Sequence, residues 1–349
     1  MTPAEFLEKI LSESLKRDLV GGVITLKRTS NDAAAHALIT KVELLEGCDP
    51  LMPYFPGNGA DFIKTLTFVR PPKKPILAIL RPCEMRAVVE LTKLSQIQNE
   101  NIIYLVHDCY GTIPRKEIRG NEIPDTEKFI SEARKDGSML RPLCRSCDYP
   151  RANTADIGWL VFEDGEPLIA YTEKGKAFLN EIGVEFVESA PDKGYKEILS
   201  KRIEEKEKLY AELEKSVKGI ENLAKNFANC INCHNCMSNC PICFCRECFF
   251  ESEAMEFEGD VFVELASRKG GLRAPTDVML FHLGRMSHMS TSCVACGACE
   301  EACPEDINIG QIFKWVGENT QSIFEYKAGR SWDEEIPLKE FREEELEPR

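Results

Sequence analysis

The chain of 349 residues carries 44 Lys and Arg against 58 Asp and Glu, a formal net charge of −14. That excess argues against a nucleic-acid partner, whose phosphates it would repel. Its 16 cysteines, with no signal-peptide pattern and enough length to bury a core, point to a reducing, cytoplasmic setting and to metal or redox work, not a disulfide scaffold.

In chain order, Thr2-Pro3-Ala4-Glu5 reads as a capping box with proline at the first helical position, and Phe6, Ile10, Leu11 and Leu15 follow at helical spacing, predicting a helix over 3–16. Short strands are expected at Val23–Lys27 and Ala37–Val42. A Pro- and Gly-rich loop follows over Pro50–Gly59, then a helix over Asp61–Phe68. Pro75–Leu80 reads as a buried strand, Glu84–Leu94 as a helix and Ile102–Val106 as the next strand, so a parallel α/β sheet is predicted. A helix is expected at Asp125–Lys135, strands at Trp159–Phe162 and Leu168–Tyr171 around the turn Glu163-Asp164-Gly165, and a helix at Lys174–Ile182. Residues 195–226 read as one long charged connector helix. The tail after Ser331 is acidic and poor in apolar residues, an extended or disordered arm. No apolar run reaches the length of a membrane span. No G-x-G-x-x-G, G-x-x-x-x-G-K-[ST], H-E-x-x-H or G-x-S-x-G motif is present, so no standard nucleotide fingerprint is available.

The chemistry concentrates between Cys230 and Cys303. CINCHNCMSNCP and CVACGACEEACP both read CxxCxxCxxxCP, the ferredoxin pattern for paired [4Fe-4S] clusters. Three closely spaced thiolates wrap one cluster, while the fourth cysteine reaches the other. The expected sets are Cys230, Cys233, Cys236 with Cys303, and Cys293, Cys296, Cys299 with Cys240. Zinc needs only four ligands in two pairs and does not explain two full runs. A further four cysteines, Cys83, Cys109, Cys144 and Cys147, lie in the α/β part, the first two just past strands, where open α/β sheets place their sites. Read alone, they fit core cysteines or a redox pair as well as they fit a shared metal site or cluster.

LRPCEMRAVVELTKL, HDCYGT and LCRSCDYPRANTADIG, in that order, resemble the beta subunits of the coenzyme F-420 (deazaflavin) hydrogenase and formate dehydrogenase family over most of residues 17–305. The resemblance implies an α/β flavin domain, with a mixed or parallel sheet and helices, plus an α+β ferredoxin-like dicluster domain. It implies FAD in the α/β domain and favours a [4Fe-4S] cluster on Cys83, Cys109, Cys144 and Cys147. The expected layout is an FAD and cluster domain over 1–194, a connector over 195–226, a dicluster domain over 227–310 with an insertion over 243–290, and a carboxyl-terminal extension over 311–349. Familiar members carry the ferredoxin module at the amino terminus; here it follows the α/β part, which leaves deazaflavin, a nicotinamide or no soluble carrier open as hydride partner.

Candidate FAD contacts by position are Asn58, Thr154, Asp156 and Lys27, with Asp156 equally readable as a turn residue. Arg81, Arg86, Arg141 and Arg145 are candidate tuners of the cluster potential or ordinary surface charges. His107 is the only histidine expected near a site, and His234 is expected to face solvent. Cys48, Cys243, Cys245 and Cys248 remain; the plainer reading is that the last three line the protein beside a cluster. A hydride carrier delivers two electrons and an iron–sulfur cluster takes one, a mismatch that a flavin resolves. The first reading is therefore an oxidoreductase subunit joining a hydride carrier to a formate dehydrogenase, hydrogenase or heterodisulfide-reductase-like partner. The second is a non-catalytic electron-transfer adaptor, and the third a zinc-stapled interaction protein.

Overall fold

The computed structural model describes residues 2–337 and 339. Six strands form one sheet in the order β2-β1-β3-β4-β5-β6. They are β1 (Gly22–Ser30), β2 (Ala33–Ile39), β3 (Ile76–Leu80), β4 (Ile102–His107), β5 (Ile157–Trp159) and β6 (Leu168–Ala170). The central β1, β3, β4 and β5 run parallel, and antiparallel β2 and β6 close the two edges. The sheet is thus mixed, with a parallel centre.

Apolar side chains alternate between two covered faces. Leu77, Ile79, Leu105 and Trp159 pack under the amino-terminal helix over 3–16, where Phe6 stacks on Trp159 with centroids 4.1 Å apart. Truncating a ring so enclosed costs about 3–5 kcal/mol. Ile76, Ala78, Leu80, Tyr104 and Val106 face the other way, onto the Gly59–Thr67 and Pro82–Lys93 helices. That second core continues without a break into Phe281, Val294, Ile309 and Phe313, so the ferredoxin part and the α/β part share one interior.

Several elements differ from the sequence reading. β1 runs to Ser30 because the β1–β2 hairpin extends its pairing as far as Ser30 with Ala33. Only Ile157–Trp159 pairs as β5; the Val161 amide donates to Trp159 and the Glu163 amide to Leu160, turning Leu160–Phe162 out of the sheet. The connector is two helices, Lys193–Val217 and Ile220–Asn226, broken at Gly219 with φ +91°. The insertion holds helices Gly259–Lys269 and Val278–Met289.

The helix Ile309–Ile323 crosses the expected 310/311 boundary, and Tyr326, Ala328 and Ile336 beyond it are buried in the shared core. Tyr326 Oη and the Gly329 amide both donate to buried Glu90, and Trp332 Nε1 donates to the Thr154 carbonyl at 2.8 Å. The described segment up to Pro337 is therefore packed rather than extended; residues 340–349 of the acidic tail lie outside the described residues.

Candidate metal centres

β3 ends at Leu80 and its chain turns directly into the Pro82–Lys93 helix. Glu84 accepts the Arg81 amide at 2.7 Å and so caps that helix start, which fixes Cys83 at the carboxyl end of the parallel strand. β4 ends likewise in His107-Asp108-Cys109. Gly111, at φ +99°, then folds the chain so tightly that an added Cβ would lie 2.9 Å from the Cys144 Cβ. Cys144 sits on the short Pro142–Arg145 turn of helix, and Cys147 follows directly after its Ser146 cap. The result is one cavity lined by Cys83, Cys109, Cys144 and Cys147, with Arg141 and Cys296 in its wall. Burial pushes the Cys83 thiol up and Cys109 to about 11. Burial acts the same way on Cys144, but Arg141, with Nη2 at 3.2 Å from the sulfur, holds it below the ordinary thiol value.

The two ferredoxin loops repeat one backbone device. Asn232 and His234 in the first, Ala295 and Gly297 in the second, have φ between +55° and +77° at matching steps after the leading cysteine. These left-handed turns wind three cysteines around one centre; Asn232, for example, donates its amide to Cys230 Sγ at 3.4 Å. Cys230, Cys233 and Cys303 all bear on the buried Cys236 thiol. Cys240 instead lines a second cavity with Cys293, Cys296 and Cys299. Cys296 lines both this cavity and the one containing Cys83. Among the described residues no three His, Cys, Asp or Glu side chains converge on a point suited to one metal ion. A lone tetrahedral zinc would draw its sulfurs to within about 4 Å of each other. Cups of four soft donors are the ligand type that iron–sulfur clusters use.

The electrostatics agree with that donor set. Arg285, 2% exposed, places Nη1 3.0 Å from Cys236 Sγ and Nη2 3.0 Å from the Cys236 carbonyl. Its Nε, and Nε and Nη1 of Arg141, are buried without a hydrogen-bond partner. Unpaired buried guanidinium is costly, and these groups point at sulfur. Arg285 sits in VMLFHLGRMSHM; a lone arginine in an apolar helical run was the available signal. The other arginines are used differently. Arg81 Nη2 donates to the Met52 and Tyr54 carbonyls, and Arg86 donates to those of Ala328 and Val294. Arg145 lines a shallow surface cavity with Lys201 and Arg202.

The histidine expectations need correction. His282 Nε2 lies 3.4 Å from Cys230 Sγ, and its ring stacks on Phe227 with centroids 3.9 Å apart, so His107 is not the only histidine near a site. Burial lowers the pKa of His282 to about 3 and keeps it neutral. His234 stacks on Phe281 at 4.2 Å instead of facing solvent, because its left-handed backbone turns it inward. Of the remaining cysteines, Cys48 is buried near the Leu44 carbonyl, Cys243 and Cys248 face Met289 and Met237, and Cys245 is exposed.

The four residues expected to touch FAD do not form one site. Asn58 caps the Gly59–Thr67 helix through Oδ1 and turns its Nδ2 toward Cys296, on the cluster side. Asp156 spends one carboxylate oxygen on the Tyr104 amide at 2.9 Å and the other on Thr172 Oγ1 at 2.7 Å. It clasps the sheet, which is the plainer of its two readings. Thr154 lies under Trp332 through its carbonyl. Lys27 donates to the Leu44 carbonyl at 2.6 Å near the β2 edge. These residues do not fit a flavin as a set: Asp156 and Lys27 spend their polar groups on the protein's own backbone and side chains.

Residues 226–307 match the family described as a 4Fe-4S dicluster domain. The chain is 30% identical to the F420-dependent formate dehydrogenase 1 subunit beta of Methanococcus maripaludis, across 93% of this chain and 89% of that protein. It is 29% identical to the F420-dependent formate dehydrogenase subunit beta of Methanocaldococcus jannaschii, across 86% of this chain and 84% of that protein. A chain of the F420-reducing [NiFe] hydrogenase complex of Methanosarcina barkeri aligns over 63% of this chain and 91% of its own, with TM-score 0.41 and 15% identity. No helix among the described residues is long and apolar enough to cross a membrane.

Proposed function

The chain belongs to the F420-dependent formate dehydrogenase beta-subunit family, and from that premise we propose that it holds three [4Fe-4S] clusters and relays electrons between a deazaflavin hydride carrier and a catalytic redox subunit. That it is an iron–sulfur oxidoreductase subunit follows from the family itself.

The observation that carries the rest is the shared wall. Cys83, Cys109, Cys144 and Cys147 surround one cavity, and Cys296 of the second ferredoxin loop belongs to that cavity and to its own. Proposed ligands are Cys83, Cys109, Cys144 and Cys147 for one cluster; Cys293, Cys296, Cys299 and Cys240 for the next; Cys230, Cys233, Cys236 and Cys303 for the last. Ordered from the sheet's carboxyl edge to the exposed Cys233, the three groups make a relay whose middle member, with Cys240, Cys296 and Cys299 buried, is the most enclosed. When bound, the clusters supply one-electron redox chemistry. The chain's residues do the remainder: the backbone turns aim the thiolates, the shared core excludes water, and the buried guanidinium groups balance negative charge at sulfur.

The relatives' names carry F420, which supports a deazaflavin as the hydride carrier and a formate dehydrogenase catalytic subunit as the partner. The conversion of two electrons to one calls for a flavin, and FAD is part of the proposal on that ground alone, without assigned ligands. The test is iron, acid-labile sulfide and flavin per chain on anaerobically purified protein, followed by reduction with reduced deazaflavin or with NADH. Iron and sulfide equivalent to three clusters, with flavin and deazaflavin-dependent reduction, is the expected result. Two clusters and no flavin would overturn the proposal and leave an electron-transfer adaptor. Preference for NADH would replace the carrier.

A further inference from the structure

We infer that Arg285 and Arg141 are the buried counter-charges of the relay, each set in the gap between two clusters so that it raises the reduction potential of both neighbours. The inference rests on the cluster reading above and goes beyond it by giving two arginines a role in setting the order of potentials.

The geometry is specific. Arg285 touches the Cys230 group through Cys236 Sγ at 3.0 Å. Nη2, which also reaches the Cys236 carbonyl, lies 3.9 Å from Met289 Sδ, and the guanidinium sits 4.9 Å from the Phe313 ring centroid. Met289 and Phe313 both line the cavity of Cys240, Cys293, Cys296 and Cys299. Arg285 therefore stands between these two groups. Arg141 spans the other gap: Nη2 lies 3.2 Å from Cys144 Sγ and 3.4 Å from the Cys296 carbonyl.

Neither charge is fully balanced by a carboxylate among the described residues. Among the described residues Arg285 has no carboxylate partner; its polar contacts are sulfur and the Cys236 carbonyl. Arg141 has only Glu301, at 4.0 Å. An isolated guanidinium in a dry interior is strongly unfavourable unless an anion balances it. The groups placed to do so are thiolate-ligated clusters. Reduction adds one electron and one unit of negative charge to a cluster, so a fixed cation nearby favours the reduced form. Of these two arginines the middle cluster lies within reach of both and each outer cluster of one; Arg81 and Arg202 also line the Cys83 cavity and are unaltered in the variants below. Arg86 also donates to the Val294 carbonyl, but its Nε is held by Ala328, and it is unaltered in the variants below.

The experiment is a potentiometric titration of the full chain, followed by electron paramagnetic resonance, for Arg285→Gln, Arg285→Lys, Arg141→Gln and Arg141→Lys, each checked for iron and sulfide. Signals are assigned with a Cys83→Ser background. Arg285→Gln is expected to weaken reduction of the Cys230 and Cys293 clusters about tenfold, or 59 mV for a one-electron couple, and to leave the Cys83 cluster in place. Arg141→Gln moves the Cys83 and Cys293 clusters by less, since Glu301 already offsets part of its charge, and leaves the Cys230 cluster. The Lys variants keep the charge and restore the potentials. Unchanged potentials with full iron content would overturn the inference, as would an equal shift of all three clusters. If a Gln variant loses iron, the Lys variant decides: a loaded protein with native potentials supports the role of charge, and a loaded protein with lowered potentials refutes it. Iron equivalent to two clusters in the unsubstituted chain would sink the three-cluster reading, while the Arg285 arm would still be tested on the ferredoxin loops.

Discussion

The two cysteine-bearing regions reach similar ends by opposite routes. In the ferredoxin part, each group draws three members from seven consecutive residues, Cys230 to Cys236 or Cys293 to Cys299, and the local backbone sets their spacing with left-handed turns. In the α/β part, the four members come from three separate stretches spread over 65 residues of chain, and only the sheet holds them together. A local loop carries its own geometry. The dispersed group depends on the register of β3 with β4, where Leu80 pairs with Val106, and on one glycine. The dispersed group should therefore be the more easily lost of the two, and each substitution below asks whether it is.

Cys83→Ser has the largest expected effect. It removes a soft donor at the carboxyl end of β3 without touching either ferredoxin loop. On the three-cluster proposal, iron should fall by about four atoms per chain, and the proposed deazaflavin-linked electron transfer should become undetectable, while the signals of the two ferredoxin clusters persist. Loss of all clusters together would show that the two regions load as one unit and would break the comparison. Gly111→Ala comes next. The left-handed φ of +99° and the 2.9 Å approach to Cys144 leave no room for a methyl group, so strain of about 1–3 kcal/mol is expected. The measured outcome is a lowered thermal midpoint with selective loss of the Cys83 cluster. Full loading at the native midpoint would mean that the fold around Cys144 adapts more readily than the geometry allows.

The same contrast explains what was legible in the sequence. CxxCxxCxxxCP states its chemistry in consecutive residues, so both ferredoxin groups could be read without a fold. The strand–helix–strand over Ile76–His107 was legible too, because β3 is buried on both faces and reads as an unbroken apolar run. Cys83 and Cys109 could be placed at strand ends, but their meeting with Cys144 depends on a left-handed turn that a glycine permits and does not announce. Side chains such as Asp156 and Lys27 looked available for a cofactor because sequence does not show which polar groups the sheet has already used. Arg285 and His282 were missed for the same reason: the Val278–Met289 helix lies inside the insertion, and only packing brings it against Cys236 and Cys230. The carboxyl-terminal segment was read as an extension because its composition is polar. Within the tail after Ser331, which is acidic and poor in apolar residues, Ile336 is nevertheless buried against the shared core, as are Tyr326 and Ala328 just before it.

The smallest predicted effect lies on the seam between the two regions. Glu318, on the Ile309–Ile323 helix, accepts from Tyr210 and Lys206 of the Lys193–Val217 helix, and from Lys327 at 3.1 Å. Lys206 also binds Asp148 at 2.7 Å, directly beside Cys147. One carboxylate thereby ties the connector, the ferredoxin part and the edge of the dispersed cysteine group. Partial burial works to raise the Glu318 pKa, but the donated hydrogen bonds from Lys206 and Tyr210 outweigh it and lower the value below that of a free glutamate. A folded-state pKa below the unfolded one means stability that is complete above the unfolded pKa, about 4.3, and is lost as pH falls below it. Thermal midpoints of Glu318→Gln and the unaltered chain should therefore converge as the pH falls below the free-glutamate value of about 4.3 and separate above it, with the variant lower. Because Glu318 is partly exposed, the separation should be modest and should shrink in salt. A separation confined to acid pH would reverse the sign and remove Glu318 as the tie between the regions.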